Sequence, residues 1–95
     1  MIKHIVMFKL KKDRIDELHE MRKRLDNLQN TIDVIKYFDI GVNISKSPSA
    51  YDLVLVSEFD SLEDLEKYRV HPDHQKVLEY IANIKDSSIV VDYKF

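Results

Sequence analysis

Cysteine is absent from this chain of 95 residues, and glycine and long apolar runs are scarce. Without cysteine the chain can form no disulfide, no thiolate nucleophile and no cysteine metal site. Its only glycine is Gly41, so there is no glycine-rich loop to cradle a phosphate. The first ten residues are mostly apolar, but Lys3, His4 and Lys9 interrupt them. This stretch is too polar and too short for a signal peptide or a membrane span, so we expect a cytoplasmic protein.

Neither sign of charge dominates the chain. Fifteen Lys and Arg face 17 Asp and Glu, for a net charge of −2, and the two signs are interspersed. Such a chain lacks the positive field with which nucleic-acid binders neutralise phosphates. Hydrophobic residues make up 44% and charged residues 34%, which is typical of a globular protein. We therefore expect one domain over residues 1–95 that folds without a cofactor and binds neither nucleic acid nor membrane.

The apolar pattern of the first half predicts a strand, a helix and a second strand. Residues 2–10 alternate, which puts His4 on an apolar face with Val6 and Phe8. Asp13 can cap a following helix, which repeats apolar residues at three- and four-residue steps and ends near Asn30. Residues 34–44 suit a strand that is bent or bulged at Gly41.

The second half predicts a strand, a helix in two pieces and a last strand. Residues 51–59 are rich in β-forming side chains and lie close enough to the preceding strand to form an antiparallel hairpin. Ser61 and Asp64 make a capping box that opens a helix ending at Val70 or His71. Pro72 suits the first position of a new helix. Residues 87–95, with the sequence SSIVVDYKF, form the last strand.

This β-α-β-β-α-β order predicts an α+β, ferredoxin-like fold, in which one antiparallel sheet carries its helices on one face. The other face would be bare. We place Ile5, Met7 and Val90 on that bare face, which needs an apolar cover that a single small domain cannot supply. A second copy of the sheet would cover it, so we expect a twofold homodimer.

The segment YRVHPDHQKV, residues 68–77, concentrates the side chains that could move protons. His74 falls in the first turn of the helix that begins at Pro72, where the helix dipole disfavours a protonated ring, so it would be a neutral base. Tyr68 could place a hydroxyl near that ring and hold an enolate. Each residue also has a structural interpretation: His74 would bond a main-chain carbonyl, and Tyr68 and His4 would complete the core.

The remaining histidines suggest neither a second site nor a metal. We expect His71 to be a cap residue and His19 to be a surface or boundary residue of the first helix. His71 and His74 are three residues apart, but no third ligand stands at a fixed offset from them. We therefore expect no bound metal.

The chain as a whole resembles the stress-responsive A/B barrel (Dabb) family of the dimeric α+β barrel superfamily. Four segments carry the resemblance: KHIVMFKLK, YDLVLVSEFDSLEDLEKY, HPDH and VVDY. The resemblance implies a homodimer whose two sheets close a barrel, with a small pocket in each subunit between the sheet and its helices.

A plant polyketide cyclase of this family extends the resemblance to individual residues. Its pocket histidines and tyrosine match His4, Tyr68 and His74, and a further pocket histidine falls on Leu53. The resemblance therefore implies proton-transfer chemistry on a small oxygenated molecule, with His74 as the base and Tyr68 and His4 orienting the substrate. Two alternatives stay open: a non-catalytic structural or stress-protective dimer, and a cofactor-independent monooxygenase or haem-degrading relative.

Overall fold

Four strands and three helices follow one another in the predicted order. The computed structural model describes residues 1–95. Its strands are β1 (Ile2–Leu10), β2 (Tyr37–Val42), β3 (Leu53–Phe59) and β4 (Lys85–Lys94), and its helices are α1 (Leu18–Asp26), α2 (Leu62–Val70) and α3 (Pro72–Ile84). Short 3₁₀ segments, Lys12–Glu17 and Asn27–Asn30, flank α1. The sheet order is β2-β3-β1-β4 and every neighbouring pair is antiparallel, which confirms the ferredoxin-like α+β fold.

The first helical segment starts earlier than the sequence suggested. Asp13 is not its cap but lies inside the first 3₁₀ turn, which begins after Lys11 without a side-chain cap hydrogen bond. The main-chain amide of Lys11 donates to the carbonyl of Ile84, 2.9 Å away. That hydrogen bond connects the end of β1 to the end of α3. The helical turn therefore starts directly after Lys11, and Asp13 lies within the turn, where it cannot act as the N-cap residue.

Strand β2 is shorter than expected and has no bulge. Its pairing with β3 runs without a shift through Gly41, which lies opposite Val54. Glycine fits here because a Cβ atom would lie 3.2 Å from Cγ1 of Val54, closer than ordinary contact. The irregular step lies instead between Lys9 and Leu10, where β1 pairs with β4.

The break between α2 and α3 is as predicted. Ser61 caps α2 by accepting a hydrogen bond from the amide of Asp64, at 3.1 Å. His71 ends α2 and caps α3 in an extended conformation, with φ −60° and ψ 134°. Pro72 follows it and disfavours a helical conformation at the residue before it. The helical conformation is therefore interrupted at His71, and α3 begins at Pro72.

Helices cover one face of the sheet and leave the other face bare. The helices and the inner face enclose one apolar core of 16 buried residues. On the other face, Ile5 of β1 lies between Val56 of β3 and Val91 of β4, with no helix over them. The assignment of Val90 to this bare face was wrong. Val90 lies opposite Val6 and therefore faces the helices, because directly paired strand residues share a face.

None of the three helices has the length and apolarity that a membrane crossing requires.

Candidate functional site

A cavity of about 590 Å³ lies between the sheet and α3. This helix-side cavity is in the size range of small-molecule sites. Its wall comes from β1, β3, β4, α1, α2 and α3 and is mainly apolar. The lining residues are His4, Val6, Phe8, Leu25, Leu55, Tyr68, Arg69, His74, Gln75, Leu78, Ile81, Ala82, Lys85, Ser88 and Val90.

All three candidate residues from the sequence border this cavity. The ring of Tyr68 lies 4.2 Å from that of His74 and 6.1 Å from that of His4, measured between ring centroids. The helix break at His71 makes the first contact possible, since it turns α3 back so that its first turn packs on the last turn of α2. The three side chains thus form one group, although they come from three elements.

His74 is held in one neutral form by the main chain. It is buried, and its Nδ1 lies 3.0 Å from the carbonyl oxygen of Arg69. A carbonyl can only accept, so Nδ1 carries the proton and the basic lone pair is on Nε2, which has no hydrogen-bond partner in the chain. Burial lowers the pKa of His74 below its usual value near 6.5, and the positive charges nearby add to this effect. The expected main-chain hydrogen bond of His74 is confirmed.

His4 is fixed by a carboxylate instead. Its Nδ1 contacts Oδ1 of Asp92, and Oδ2 of Asp92 accepts a hydrogen bond from Nη2 of Arg69 at 2.7 Å. The His4 ring therefore also presents Nε2, with its orientation set by Asp92. Neither Asp92 nor Arg69 was predicted from the sequence. Asp92 is the one acidic residue in the apolar part of β4, and its pairing opposite His4 is the signal that would have singled it out.

Tyr68 is the most enclosed member of the group. Its side chain is fully buried, and its hydroxyl has neither accessible surface nor a hydrogen-bond partner. The ring packs against His74 and Phe59, with a centroid distance of 5.2 Å to the latter. Burial raises the pKa of Tyr68 well above its usual value near 10, so the hydroxyl stays protonated. Tyr68 forms part of the cavity wall, and its hydroxyl is a donor without an acceptor in the protein.

The other residues considered from the sequence have structural positions. The Nδ1 of His71 accepts a hydrogen bond from the amide of Asp73 at 3.1 Å, which confirms its role as a cap. His19 is exposed on α1, away from the cavity. Leu53 is buried in the core and does not line the cavity. No group of three or more His, Asp or Glu side chains has an arrangement that could hold a metal ion.

The fold and the cavity together define a ferredoxin-like α+β protein with two oriented imidazoles in an apolar recess beneath its helices. The chain belongs to the Dabb family, because residues 2–95 match the family model described as the stress responsive A/B barrel domain.

Curated relatives of this family occur in Arabidopsis thaliana. The chain is 30% identical over 96 residues to the stress-response A/B barrel domain-containing protein DABB1, a match that covers 97% of this chain and 46% of DABB1. It is 34% identical over 100 residues to another stress-response A/B barrel domain-containing protein of the same plant, with 97% of this chain and 36% of that protein covered. It is 30% identical over 97 residues to HS1, with 98% and 88% covered. The chain thus spans less than half the length of the first two relatives.

Solved structures share the architecture closely. A dimeric protein of unknown function with a ferredoxin-like fold from Bacteroides fragilis has a TM-score of 0.87 and 32% identity, covering 99% of this chain and 95% of that one. The hydroxynitrile lyase of Passiflora edulis has a TM-score of 0.85 and 18% identity, with 97% and 90% covered. An antibiotic biosynthesis monooxygenase has a TM-score of 0.83 and 18% identity, with 100% and 98% covered. At such low identity the last two show the fold alone.

Proposed function

We propose that this protein is a homodimeric Dabb domain that binds a small oxygenated molecule in the helix-side cavity and transfers a proton on it, in the manner of a polyketide cyclase. One observation carries the proposal. His4 and His74 each have Nδ1 engaged by the protein, which leaves Nε2 of each ring without a protein partner, and both residues line the same mainly apolar cavity. Oriented proton acceptors in a low-dielectric recess are what abstraction of a proton next to a carbonyl needs.

In the proposed reaction His74 is the base. It is neutral at pH 7 because its pKa is lowered, so Nε2 can take a proton from the carbon beside a carbonyl. His4 holds the oxygen, because its Nε2 can accept a hydrogen bond from a substrate hydroxyl. Tyr68 orients the substrate as part of the cavity wall, packed against the ring of His74. The proton on His74 then returns to the product.

The homodimer in this proposal is supported by the sheet and by the relatives. Ile5, Met7, Ile89 and Val91 lie on the bare sheet face, and Met7, Ile89 and Val91 are exposed large apolar side chains. The neighbouring structure from Bacteroides fragilis is dimeric. A single-domain organisation over residues 1–95 and a cytoplasmic location stay predictions from the sequence.

Binding can be tested by thermal shift with a panel of phenolic and polyketide-like compounds. We expect a subset to raise the melting temperature of the wild type. The shift should shrink in His74→Ala and persist in His19→Ala, a matched histidine variant outside the cavity. Equal shifts in both variants would remove the support for the site.

Proton transfer needs its own readout. Deuterium incorporation next to the carbonyl of an aryl methyl ketone, followed by NMR in D₂O, should be faster with wild-type protein than with His74→Asn. The asparagine amide can still donate to the Arg69 carbonyl but is no base. Equal rates of deuterium incorporation with both proteins would contradict the role of His74 as the base, whether or not the compound binds.

The alternative is a non-catalytic structural or stress-protective dimer. Two observations favour it: the Tyr68 hydroxyl is closed off, and His74 bonds the main chain as a core histidine does. It predicts no ligand-induced shift for any compound in the panel. A monooxygenase or haem-degrading role has only the shared fold behind it and would require an oxygen-dependent product or bound haem.

A further inference from the structure

The end of the helix-side cavity away from the imidazoles carries a lysine that proton transfer does not use. Lys85 lies where α3 passes into β4, is half-buried, and lines the cavity together with Ser88. Its ammonium donates to Oγ of Ser88 at 3.2 Å and forms no ion pair with any acidic side chain. An ammonium group has three protons to donate, so two are left without a protein acceptor.

The charges around the cavity do not balance. None of its lining residues is acidic, and its two permanent cations are Arg69 and Lys85. Arg69 is neutralised by Asp92 at 2.7 Å and lies 3.8 Å from Glu66. Lys85 is therefore the one uncompensated charge of the wall. In a mostly apolar recess such a charge favours an anionic group on the ligand more strongly than it would in water.

Strand pairing gives the spacing between the two ends. Asp92 lies opposite His4, and Ser88 lies opposite Phe8 on the same face. Between them Val90 lies opposite Val6, and both line the cavity. Four residues of antiparallel strand span about 13 Å, so the cavity has an imidazole end and an ammonium end separated by an apolar stretch of that order.

We propose that the ligand is an elongated amphipathic carboxylate. Its carboxylate binds Lys85 and Ser88, its apolar body lies along Val6 and Val90, and its oxygenated or aromatic end reaches His4 and His74. A single uncompensated cation matches a monoanion, whereas a phosphate dianion would leave charge unbalanced. This inference rests on the proposed function of the same cavity and adds the class of molecule that it takes.

The test uses hydroxyphenylalkanoic acids of increasing chain length, from hydroxybenzoate to hydroxyphenylheptanoate, each beside its primary amide. Affinities are measured by titration calorimetry. We expect the acids to bind about tenfold or more tightly than their amides, with an optimum at intermediate or long chains, because a charge-assisted hydrogen bond replaces a neutral one. The preference for the acid should weaken as salt is added.

Three variants assign the preference to Lys85. Lys85→Gln should lose about tenfold in affinity for the acid and little for the amide, and Lys85→Arg should keep the preference. Lys11→Gln is the matched control, because Lys11 is exposed near the same end of α3, bonds the carbonyl of Asn83, and does not line the cavity. A thermal melt of each variant without ligand separates loss of binding from loss of fold.

The results separate this inference from the proposed function. If acids and amides bind the wild type equally, or if Lys85→Gln keeps the preference, the carboxylate assignment is wrong while the cavity remains a binding site. If no member of either series binds the folded wild type, the proposed function fails and this inference fails with it.

Discussion

The hydroxyl of Tyr68 is the only buried side-chain polar atom without a hydrogen-bond partner. Such a group costs about 1–3 kcal/mol of stability relative to an apolar replacement of the same shape. We therefore predict that Tyr68→Phe raises the free energy of unfolding by about 1 kcal/mol, as measured by urea denaturation. If the hydroxyl serves a ligand, the same variant should weaken ligand-induced thermal shifts. A stabilised variant with reduced binding would show that the hydroxyl is kept for function.

Tyr80→Phe provides the opposite case. The hydroxyl of Tyr80 donates to Oε1 of Glu17 at 2.5 Å, and the guanidinium of Arg24 lies 4.0 Å from its ring centroid. Burial and the Glu17 carboxylate raise the pKa of Tyr80 to about 12. Its removal should lower the free energy of unfolding by about 1 kcal/mol. If both phenylalanine variants shift stability in the same direction, the unpaired state of the Tyr68 hydroxyl does not explain the result.

The lowered pKa of His74 makes stability depend on pH in a defined direction. Below the unfolded-state pKa of about 6.5, His74 is protonated in the unfolded chain. In the folded chain it stays neutral until the pH reaches its own, lower pKa. Stability should therefore fall as pH decreases through this window, and His74 should contribute no pH dependence above it. Urea denaturation of wild type and His74→Asn at about pH 7.5 and about pH 5.5 tests this, since the variant should lose less on acidification. An equal or larger loss in the variant would contradict the burial argument.

At the residue scale, the three candidate residues in the cavity could be predicted from the sequence, but the residues that orient their side chains could not. His4, Tyr68 and His74 were predicted from the resemblance and from the helix break at Pro72. Asp92 and Arg69 were not predicted. Their roles depend on which residue of β1 is paired with Asp92, and on where the packing of α2 places Arg69 relative to β4. Those are tertiary relations, and no local pattern encodes them.

At the scale of elements, the turn from α2 into α3 positions the cavity residues. The side chain of His71 stabilises this turn by capping α3. The main-chain amide of His71 donates to the carbonyl of Tyr68, and its ring accepts from the amide of Asp73. We predict that His71→Ala lowers the free energy of unfolding by about 1 kcal/mol through loss of the cap, and that His71→Asn restores most of it. Thermal and urea denaturation measure both. If alanine and asparagine are equivalent, the ring does not act as a cap.

The start of a helix or the face of a strand residue was predicted correctly where a single residue preference decided it, and wrongly where the local pattern allowed more than one arrangement. Pro72 and Ser61 fixed helix starts because proline and serine have strong positional preferences. Asp13 was misassigned because a tertiary hydrogen bond at Lys11 starts the turn first. The face of Val90 was misassigned because Ile89, Val90 and Val91 are apolar in succession, so alternation alone cannot say which points inward. The pairing of Val90 with Val6 decides it.

For the whole molecule, the decisive feature is the bare sheet face with no helix over it. Apolar residues follow its strands, with Ile5, Val56 and Val91 side by side. Such a continuous face is rarely left to water and is suited to packing against a second copy. The proposed barrel of two sheets would bury it and would leave the helix-side cavity of each subunit on the outside of the barrel.

Val91→Lys tests this assembly, with Val70→Lys as its matched control. Both valines are similarly exposed, at 61% and 63%, but Val91 is on the bare sheet face and Val70 is at the end of α2. A lysine on the bare face would place charges in the apolar contact between sheets, so Val91→Lys should be monomeric or much weaker as a dimer, while Val70→Lys should match the wild type. Sedimentation velocity over a range of protein concentrations measures both. A wild-type protein that stays monomeric at micromolar concentration, or a Val91→Lys variant that dimerises as the wild type does, would mean that the face is covered in another way.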